Sequence, residues 1–523
     1  HDRDFSCQSK IHGTSLLSRC STFICRWRAP LVLQARGGQH LQQGAFYGSS
    51  LANSSGRMMI VGALCHRVPP APILPPMAMR SRGANQETIP LRTGSAPLPR
   101  RAAMDRPLVM SAFGFPLLVA TVHFLLVQVA ASLAYRFGTP TSPSGPQRYT
   151  PNTLHGLADL LVGPLRMWDG LWYTMIAEQG YGDWSPKAAF WPLFPWTMRG
   201  LSSLAGLAPE VAGYLIANIC FVVALMFLYR LVALDFDEGL ARRTLWAIAL
   251  FPTALFFSAV YTESPFLMLS VGALLAARLR HWWLAGLLGA LAALTRSYGV
   301  FLVLPFAVLF LQQYGLYVRD FIPRGVAVAM PVLGPIAFGS HLERVQGNWR
   351  AFIDVQNQWN RTSALPWETF RCAIEGCTLR LTQYGQTRDW LVEGADWGWL
   401  RALRDTPSWS LIVSQSWRKW VADSDTLELV CTVLFVALAI IGLKVLPLYQ
   451  SVWLIPGLVI PLLQPSTVHP LMSMPRFGLT LFPIFVVLAW LFRPRLLSVP
   501  AAVISAALLV LLTVQFANWY WVS

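Results

Sequence analysis

Apolar residues occur in long runs along most of the chain, separated by short polar turns and by two longer polar stretches. A run of ~20 apolar residues is the length that an α-helix needs to cross a bilayer. The pattern therefore predicts about eleven transmembrane helices. They fall near 107–134, 209–229, 244–260, 264–279, 282–294, 299–314, 325–341, 427–443, 448–463, 477–492 and 497–515. A short aromatic segment near 189–206 is predicted to lie at the membrane interface.

The overall composition indicates the same class of protein. Hydrophobic residues make up 54% of the 523 residues and charged residues only 13%, whereas a soluble protein carries about 25% charged residues. The 22 tryptophans suit a protein that is anchored at two lipid–water interfaces. The sequence thus predicts an all-α polytopic membrane protein with two outer loops, 137–208 and 342–425, that bear short helices.

Residues 1–103 differ from the rest of the chain. They hold 13 Lys and Arg against 3 Asp and Glu, and so carry most of the net charge of +16. No helical or strand period persists through them, so we expect a disordered or non-native extension, with a targeting segment as the alternative. The membrane domain is predicted to span 104–523, beginning at Met104.

Basic residues beyond the extension lie mostly in short loops, which indicates membrane orientation rather than binding to nucleic acid. Alternating passes place these loops in the cytoplasm and the two long loops on the other side. The basic residues concerned are Arg100, Arg101, Arg106, Arg230, Arg242, Arg243, Arg278, Arg280, Arg319, Arg324, Lys444, Arg493 and Arg495.

This orientation depends on how the apolar run 282–314 is divided. One long tilted helix would place Arg319 and Arg324 outside and the loop 342–425 inside. Two passes that separate at Arg296 keep the basic loops on one side. They also keep this arginine out of the hydrocarbon, where a charge costs several kcal/mol. We therefore predict two passes.

Two cysteines, Cys372 and Cys377, lie close together in the loop 342–425. They can form a disulfide if this loop faces an oxidising space, and free thiols are the alternative. No Cys or His spacing in the chain is typical of a zinc site.

The first candidate site is the segment WDGLWY, residues 168–173, in the outer loop 137–208. Asp169 stands among aromatic residues, which partly desolvate a carboxylate and so suit a general base. A loop carboxylate that caps a short helix is the alternative. Trp168, Trp172 and Tyr173 are candidate substrate-binding residues.

Further polar residues stand at predicted outer ends of helices. Glu263, in the turn YTES, is a second candidate catalytic acid, with a solvated turn residue as the alternative. Arg296 and Arg476 are candidate phosphate ligands, because a guanidinium offers bidentate charged hydrogen bonds. Arginines that snorkel to the interface are the alternative. His469 is a further candidate substrate-binding residue.

Five motifs in this order resemble the PIG-V family of mannosyltransferases, which adds the second mannose to the glycosylphosphatidylinositol (GPI) precursor and has bacterial relatives. They are WDGLWY…IAEQGY (Trp168 to Tyr181), FWPLFP (Phe190 to Pro195), FFSAVYTESPFL (Phe256 to Leu267), LTRSYG (Leu294 to Gly299) and MPRFGLTLFP (Met474 to Pro483). The resemblance covers about residues 107–492 and leaves the loop 342–425 without a motif.

The resemblance implies a GT-C glycosyltransferase fold. It also implies inverting transfer of a sugar, usually mannose, from a polyprenyl- or dolichyl-phosphate donor to a lipid or glycolipid acceptor on the non-cytoplasmic side. Asp169 matches the acid of the family's WD motif and is expected to be the general base, and Glu263 matches the acid of its turn motif. Arg296 and Arg476 match arginines of two further motifs. No cofactor and no metal is expected, because the first outer loop has no DxD motif.

The expected partners are the lipid-phosphate sugar donor, the acceptor and membrane lipids, with a small membrane subunit left open and no nucleic acid. The expected location is the endoplasmic reticulum membrane in a eukaryote, or the plasma membrane in a bacterium. A lipid or polysaccharide transporter or flippase is the main alternative. The chain shows no clear internal repeat, which argues against it. A GT-C transferase with a protein or cell-wall glycan acceptor is the second alternative.

Overall fold

The computed structural model describes residues 106–140, 153–182, 185–315, 318–383, 385–394 and 424–522. The predicted extension 1–103 lies outside the described residues, as does the last part of the second outer loop, 395–423.

Helices make up most of the described chain. The α-helices are Arg106–Phe137, Gly156–Val162, Asp169–Gln179, Leu193–Ala205, Pro209–Asp235, Glu238–Ala249, Glu263–Arg278, Trp282–Thr295, Val303–Tyr314, Val318–Ala329, Leu333–Gln346, Ala351–Asp354, Pro366–Glu375, Ser424–Val445, Leu448–Leu462, Met474–Leu479, Phe482–Leu491 and Arg495–Ala517. Short 3-10 helices are Gly163–Leu165, Ser185–Ala189, Ala254–Phe257, Ser297–Leu302, Met330–Val332 and Val355–Trp359.

Six helices of the described chain are long and apolar enough to cross a membrane. They are Phe113–Phe137, Pro209–Asp235, Ser297–Tyr314, Arg324–Gln346, Ser424–Val445 and Arg495–Ala517. Shorter apolar helices, such as Trp282–Thr295 and Phe482–Leu491, lie between them in the sequence. The predicted class, an all-α polytopic membrane protein, is confirmed.

The predicted span near 244–260 is interrupted in the structure. The helix Glu238–Ala249 ends just before Pro252, and the 3-10 helix Ala254–Phe257 follows. A proline disfavours helical backbone at the residue before it, so the apolar run continues in a different conformation. This break leads directly into the turn that carries Glu263.

The run 282–314 forms two antiparallel helices. The helix Trp282–Thr295 ends at Arg296, whose backbone is extended with φ −151° and ψ 142°. The chain then reverses, because the ring of Trp282 lies 5.4 Å from that of Phe310, near the far end of the next helix. The predicted separation at Arg296 is therefore confirmed.

The second outer loop contains an element that the sequence analysis did not predict. The strands Cys377–Gln383 and Gln386–Val392 form an antiparallel hairpin, with Cys377 opposite Val392 and Gln383 opposite Gln386. Gly385 has a positive φ of 74° in the turn, a conformation that glycine adopts without strain. Cys372 and Cys377 form a disulfide that joins this hairpin to the helix Pro366–Glu375. Disulfide and free thiols were the two alternatives for this pair, and the structure contains the disulfide.

The centre of the helix bundle is the helix Glu263–Arg278, which is buried along nearly its whole length. It packs against Pro209–Asp235 on one side and Trp282–Thr295 on another. Small residues such as Gly272 permit close approach, since a Cβ there would lie 3.0 Å from the Phe227 ring. Glu263, the first residue of this helix, is consequently fully buried.

Candidate active site

Asp169 is the first residue of the helix Asp169–Gln179, and a tight bend places it there. Trp168 before it has φ 56° and ψ −116°, a backbone conformation that bulky residues rarely adopt. The Tyr261 hydroxyl closes the bend: it accepts a hydrogen bond from Asp169 N–H (3.1 Å) and donates one to the Met167 carbonyl (3.0 Å). Burial, and the nearby Asp169 carboxylate, raise the pKa of Tyr261 well above its usual value. The hydroxyl therefore stays protonated.

Arg476 is held by a similar arrangement. It lies in the short helix Met474–Leu479, which follows Ser473 with φ 68°. The Ser473 N–H donates a hydrogen bond to Glu428 Oε1 (3.1 Å). A non-glycine residue with positive φ therefore precedes both Asp169 and Arg476, and such outliers cluster at functional sites.

Four residues predicted separately meet in one ion-pair network, which we call the central network: Asp169, Glu263, Arg296 and Arg476. Arg476 Nη1 lies 2.6 Å from Asp169 Oδ2, and its Nε lies 3.0 Å from Glu263 Oε1. Arg296 Nη1 lies 2.5 Å from the same Glu263 oxygen. One buried carboxylate thus binds two arginines, one of which also holds Asp169.

The two acids of the central network differ in access to solvent. The Glu263 side chain is fully buried, whereas that of Asp169 is 16% exposed. Asp169 Oδ2 binds Arg476, but its Oδ1 accepts no hydrogen bond from a described residue. Asp169 therefore offers an open oxygen to a ligand, and Glu263 does not.

A third arginine, Arg361, borders the central network, and the sequence analysis missed it. The guanidinium carbons of Arg296, Arg361 and Arg476 lie 5.2, 5.8 and 6.0 Å from the centre of the Phe477 ring. Arg361 donates to the carbonyls of Gln464 (3.0 Å) and Met472 (3.2 Å) and forms no ion pair with a described residue. It stands in a loop that has no recognisable motif, so no sequence signal distinguished it.

Three arginines and the two carboxylates of the central network lie around Phe477, and Glu428 is a further carboxylate that acts on Arg361 without forming an ion pair with it. Burial lowers the pKa of Arg361 to about 10, while the charge of Glu428 acts in the opposite direction. Arg361 is therefore still charged at neutral pH. A site bordered by three guanidinium groups suits an anion such as a phosphate.

The aromatic residues of the first motif mainly form the wall behind Asp169. Trp172 is buried, stacked on Phe190 at 5.5 Å between ring centres. Tyr173 is also buried, with its hydroxyl 3.3 Å from Thr262 Oγ1. Trp168 is half-buried and contacts the rings of Trp519 and Trp521. Their predicted contact with substrate stays a prediction.

His469 lies beside the central network rather than in it. Its Nδ1 is 2.9 Å from Asp425 Oδ1, and its ring is parallel to that of Trp521. Asp425, which stands 44 residues earlier in the chain, was not among the predicted site residues. A single acid at the start of a helix carries no signal that could have linked it to His469.

Residues 113–324 match the sequence profile of the family described as Mannosyltransferase (PIG-V). This part of the chain is similar to the PIG-V mannosyltransferases. It includes Asp169, Glu263 and Arg296, three of the four residues of the central network. Arg476, the fourth, lies beyond the PIG-V match and reaches the others through the fold.

Individual relatives agree with the family match. The chain is 32% identical to the GPI alpha-1,6-mannosyltransferase 2 of Rattus norvegicus over 168 residues, 30% of this chain and 34% of the rat protein. It is 29% identical to the GPI mannosyltransferase 2 of Chaetomium globosum over 229 residues, 35% of this chain and 48% of the fungal protein. The aligned part thus spans less than half the length of either relative.

Proposed function

We propose that this protein is a mannosyltransferase that moves mannose from a polyprenyl- or dolichyl-phosphate donor to a lipid or glycolipid acceptor. The observation that carries the proposal is the open Oδ1 of Asp169 next to three arginines that lie around Phe477. The relation to the PIG-V family and the names of the GPI mannosyltransferase relatives supply the sugar and the type of acceptor.

In the proposed reaction Asp169 is the general base. The acceptor hydroxyl loses its proton to Asp169 Oδ1 while its oxygen attacks C1 of the mannose. The bond between C1 and the phosphate oxygen breaks, and its electron pair leaves with the lipid phosphate. Attack opposite the leaving group inverts the anomeric centre. General-base catalysis of this kind contributes about 10²–10⁴-fold to the rate.

Arg476 holds Asp169 in position through the 2.6 Å ion pair. Arg296, Arg361 and Arg476 stabilise the charge that grows on the departing phosphate, since the three guanidinium groups lie together around Phe477. The chemistry in this proposal uses no metal ion.

Glu263 takes a different role from the catalytic one that the sequence suggested. Its side chain is fully buried and its Oε1 binds both Arg296 and Arg476. We therefore assign it to positioning the two arginines rather than to proton transfer.

The proposed location follows from the same scheme. The donor and acceptor are lipids, so the reaction belongs at a membrane surface, and the loops that carry Asp169 and Arg361 belong on the non-cytoplasmic side. In a eukaryotic cell this membrane is the endoplasmic reticulum, and in a bacterium it is the plasma membrane.

The direct test is to incubate the purified protein in detergent or vesicles with polyprenyl-phosphate mannose and a series of glycolipid, lipid and peptide acceptors. We expect a mannosylated glycolipid with the inverted linkage, identified by mass spectrometry and by linkage-specific mannosidases. If only the peptide is mannosylated, the acceptor is a protein and not a lipid or glycolipid. Absence of transfer from the lipid-phosphate donor to every acceptor would contradict the proposal.

A further inference from the structure

A second polar cluster lies beside the central network, formed by Asp425, Glu428 and His469. Asp425 and Glu428 stand three residues apart at the start of the helix Ser424–Val445, so their side chains share one face of it. His469 comes from the loop before the helix of Arg476. The ligand atoms of the three residues, one from each, all lie within 4.8 Å of one another.

Glu428 is a buried carboxylate on which His469 and Arg361 act only from beyond ion-pair distance. Its side chain is fully buried, and it forms no ion pair within 4 Å with a Lys or Arg of the described chain. Oε1 accepts the Ser473 N–H. Oε2 accepts no hydrogen bond of normal geometry, although the Trp521 indole acts on this carboxylate. A buried carboxylate oxygen without a normal hydrogen bond is the kind of group that a bound cation satisfies.

We propose that Asp425, Glu428 and His469 bind one divalent transition-metal cation, Mn²⁺ or Zn²⁺. Two carboxylates and one imidazole form a ligand set that suits these ions. His469 Nδ1 and Asp425 Oδ1 lie 2.9 Å apart. That separation fits two ligands at right angles in an octahedral Mn²⁺ site, each ~2.1 Å from the ion and about 3 Å apart. The three ligand atoms span up to 4.8 Å, so the third side chain has to move inward to bind the same ion.

The cluster is accessible to an ion and leaves room for further ligands. The side chains of Asp425 and His469 are each 24% exposed, whereas Glu428 closes the buried side. Trp521 lies parallel to the His469 ring, with 6.3 Å between ring centres. Arg361 acts on Glu428 at longer range, and the two carboxylates of the cluster outweigh this one positive charge.

The cation acts on the position of Arg476. Glu428 holds the Ser473 N–H, and Ser473 begins the short helix that carries Arg476. An ion bound to Glu428 Oε2 would hold the Glu428 side chain in place, and with it the turn at Ser473 that is hydrogen-bonded to Oε1. It stands beside the central network and takes no part in proton transfer, so the transfer chemistry proposed above remains free of metal.

Metal binding by the full-length protein in detergent tests this proposal. After treatment with a chelator and dialysis, Mn²⁺ is added and the free ion is followed by electron paramagnetic resonance, with Zn²⁺ as competitor. We expect one Mn²⁺ per chain, displaced by Zn²⁺, and a higher melting temperature in its presence. Asp425→Asn, Glu428→Gln and His469→Gln should each weaken binding by on the order of 10–100-fold or more.

Glu343→Gln is the matched control, because Glu343 is an exposed acid outside the cluster. It should bind Mn²⁺ like the unaltered protein. If a cluster variant does not fold, the comparison rests on the other two, each checked by its elution volume in size exclusion. No stoichiometric binding of either ion, or binding that the cluster variants leave unchanged, would overturn the proposal. That outcome would leave the proposed transfer reaction untouched, since the binding assay does not depend on it.

Discussion

Asp169 and Arg476 lie 307 residues apart in the chain, and their side chains form an ion pair of 2.6 Å. The pair uses one oxygen of the carboxylate and leaves the other open. It therefore orients Asp169 without closing it to a ligand. This relationship separates Asp169 from Glu263, which is also bound to Arg476 but is fully buried.

Replacing Asp169 with Asn tests the general base. The amide is of similar size and can still accept a hydrogen bond from Arg476, but it cannot take a proton from an acceptor hydroxyl. We expect mannose transfer to fall by about 10²–10⁴-fold, with normal expression and elution volume. The control is Asp354→Asn, an exposed acid in the second outer loop. Near-normal transfer by the Asp169 variant would rule out its role as base.

Replacing Arg361 with Gln tests the third arginine. Gln can still donate a hydrogen bond but loses the charge, so we expect a higher KM for the lipid-phosphate donor and little change in the KM for the acceptor. Arg361→Lys should restore part of the donor affinity. Arg350→Gln is the matched control, since Arg350 is exposed in the same loop. Equal effects on donor and acceptor would contradict a role in binding phosphate.

Replacing Glu263 with Gln tests the buried counter-ion. Arg296 and Arg476 would lose the carboxylate that they share, and breaking a buried ion pair costs about 3–5 kcal/mol. The melting temperature in detergent should fall clearly. Glu238→Gln is the comparison, because the Glu238–Arg242 pair is 3.6 Å long and exposed. Such a pair contributes at most about 1 kcal/mol. A similar small change in both variants would show that Glu263 does not stabilise the protein.

Replacing Gly299 with Ala tests the chain reversal after Arg296. A Cβ on Gly299 would lie 2.6 Å from the backbone carbon of Ala292, so the two helices of the hairpin would have to separate. Overpacking of this kind costs about 1–3 kcal/mol. Gly200→Ala has no atom within 4 Å of the new Cβ and should leave the melting temperature unchanged or slightly higher. A Gly299 variant as stable as the Gly200 variant would contradict this packing.

The disulfide provides a test of orientation. Peptide mapping without reductant should recover Cys372 linked to Cys377 in protein isolated from its native membrane, because disulfides persist on the oxidising side. Cys220 and Cys431 are buried and free and serve as internal controls. Recovery of Cys372 and Cys377 as free thiols would place this loop in the cytoplasm, against the proposed orientation.

The class of protein and the positions of most helices were predictable from the apolar pattern of the chain. Apolar runs specify membrane helices directly, because each run alone must satisfy the length and polarity of the bilayer. The separation at Arg296 also followed from sequence, since a charge in the hydrocarbon is costly. The interruption after the helix Glu238–Ala249 was not predicted. The predicted span near 244–260 followed the length of the apolar run, and the run alone does not show that the helix ends before Pro252.

How the candidate residues combine depends on the three-dimensional fold. Motifs pointed to Asp169, Glu263, Arg296 and Arg476 one at a time, and the fold made them a network in which one acid is open and the other buried. Arg361 and Glu428 carried no local signal. Their roles depend on which charges lie near them in space, and residues distant in sequence supply those charges. Burial and pairing of charges are properties of the packed bundle, so no pattern along the chain contains them.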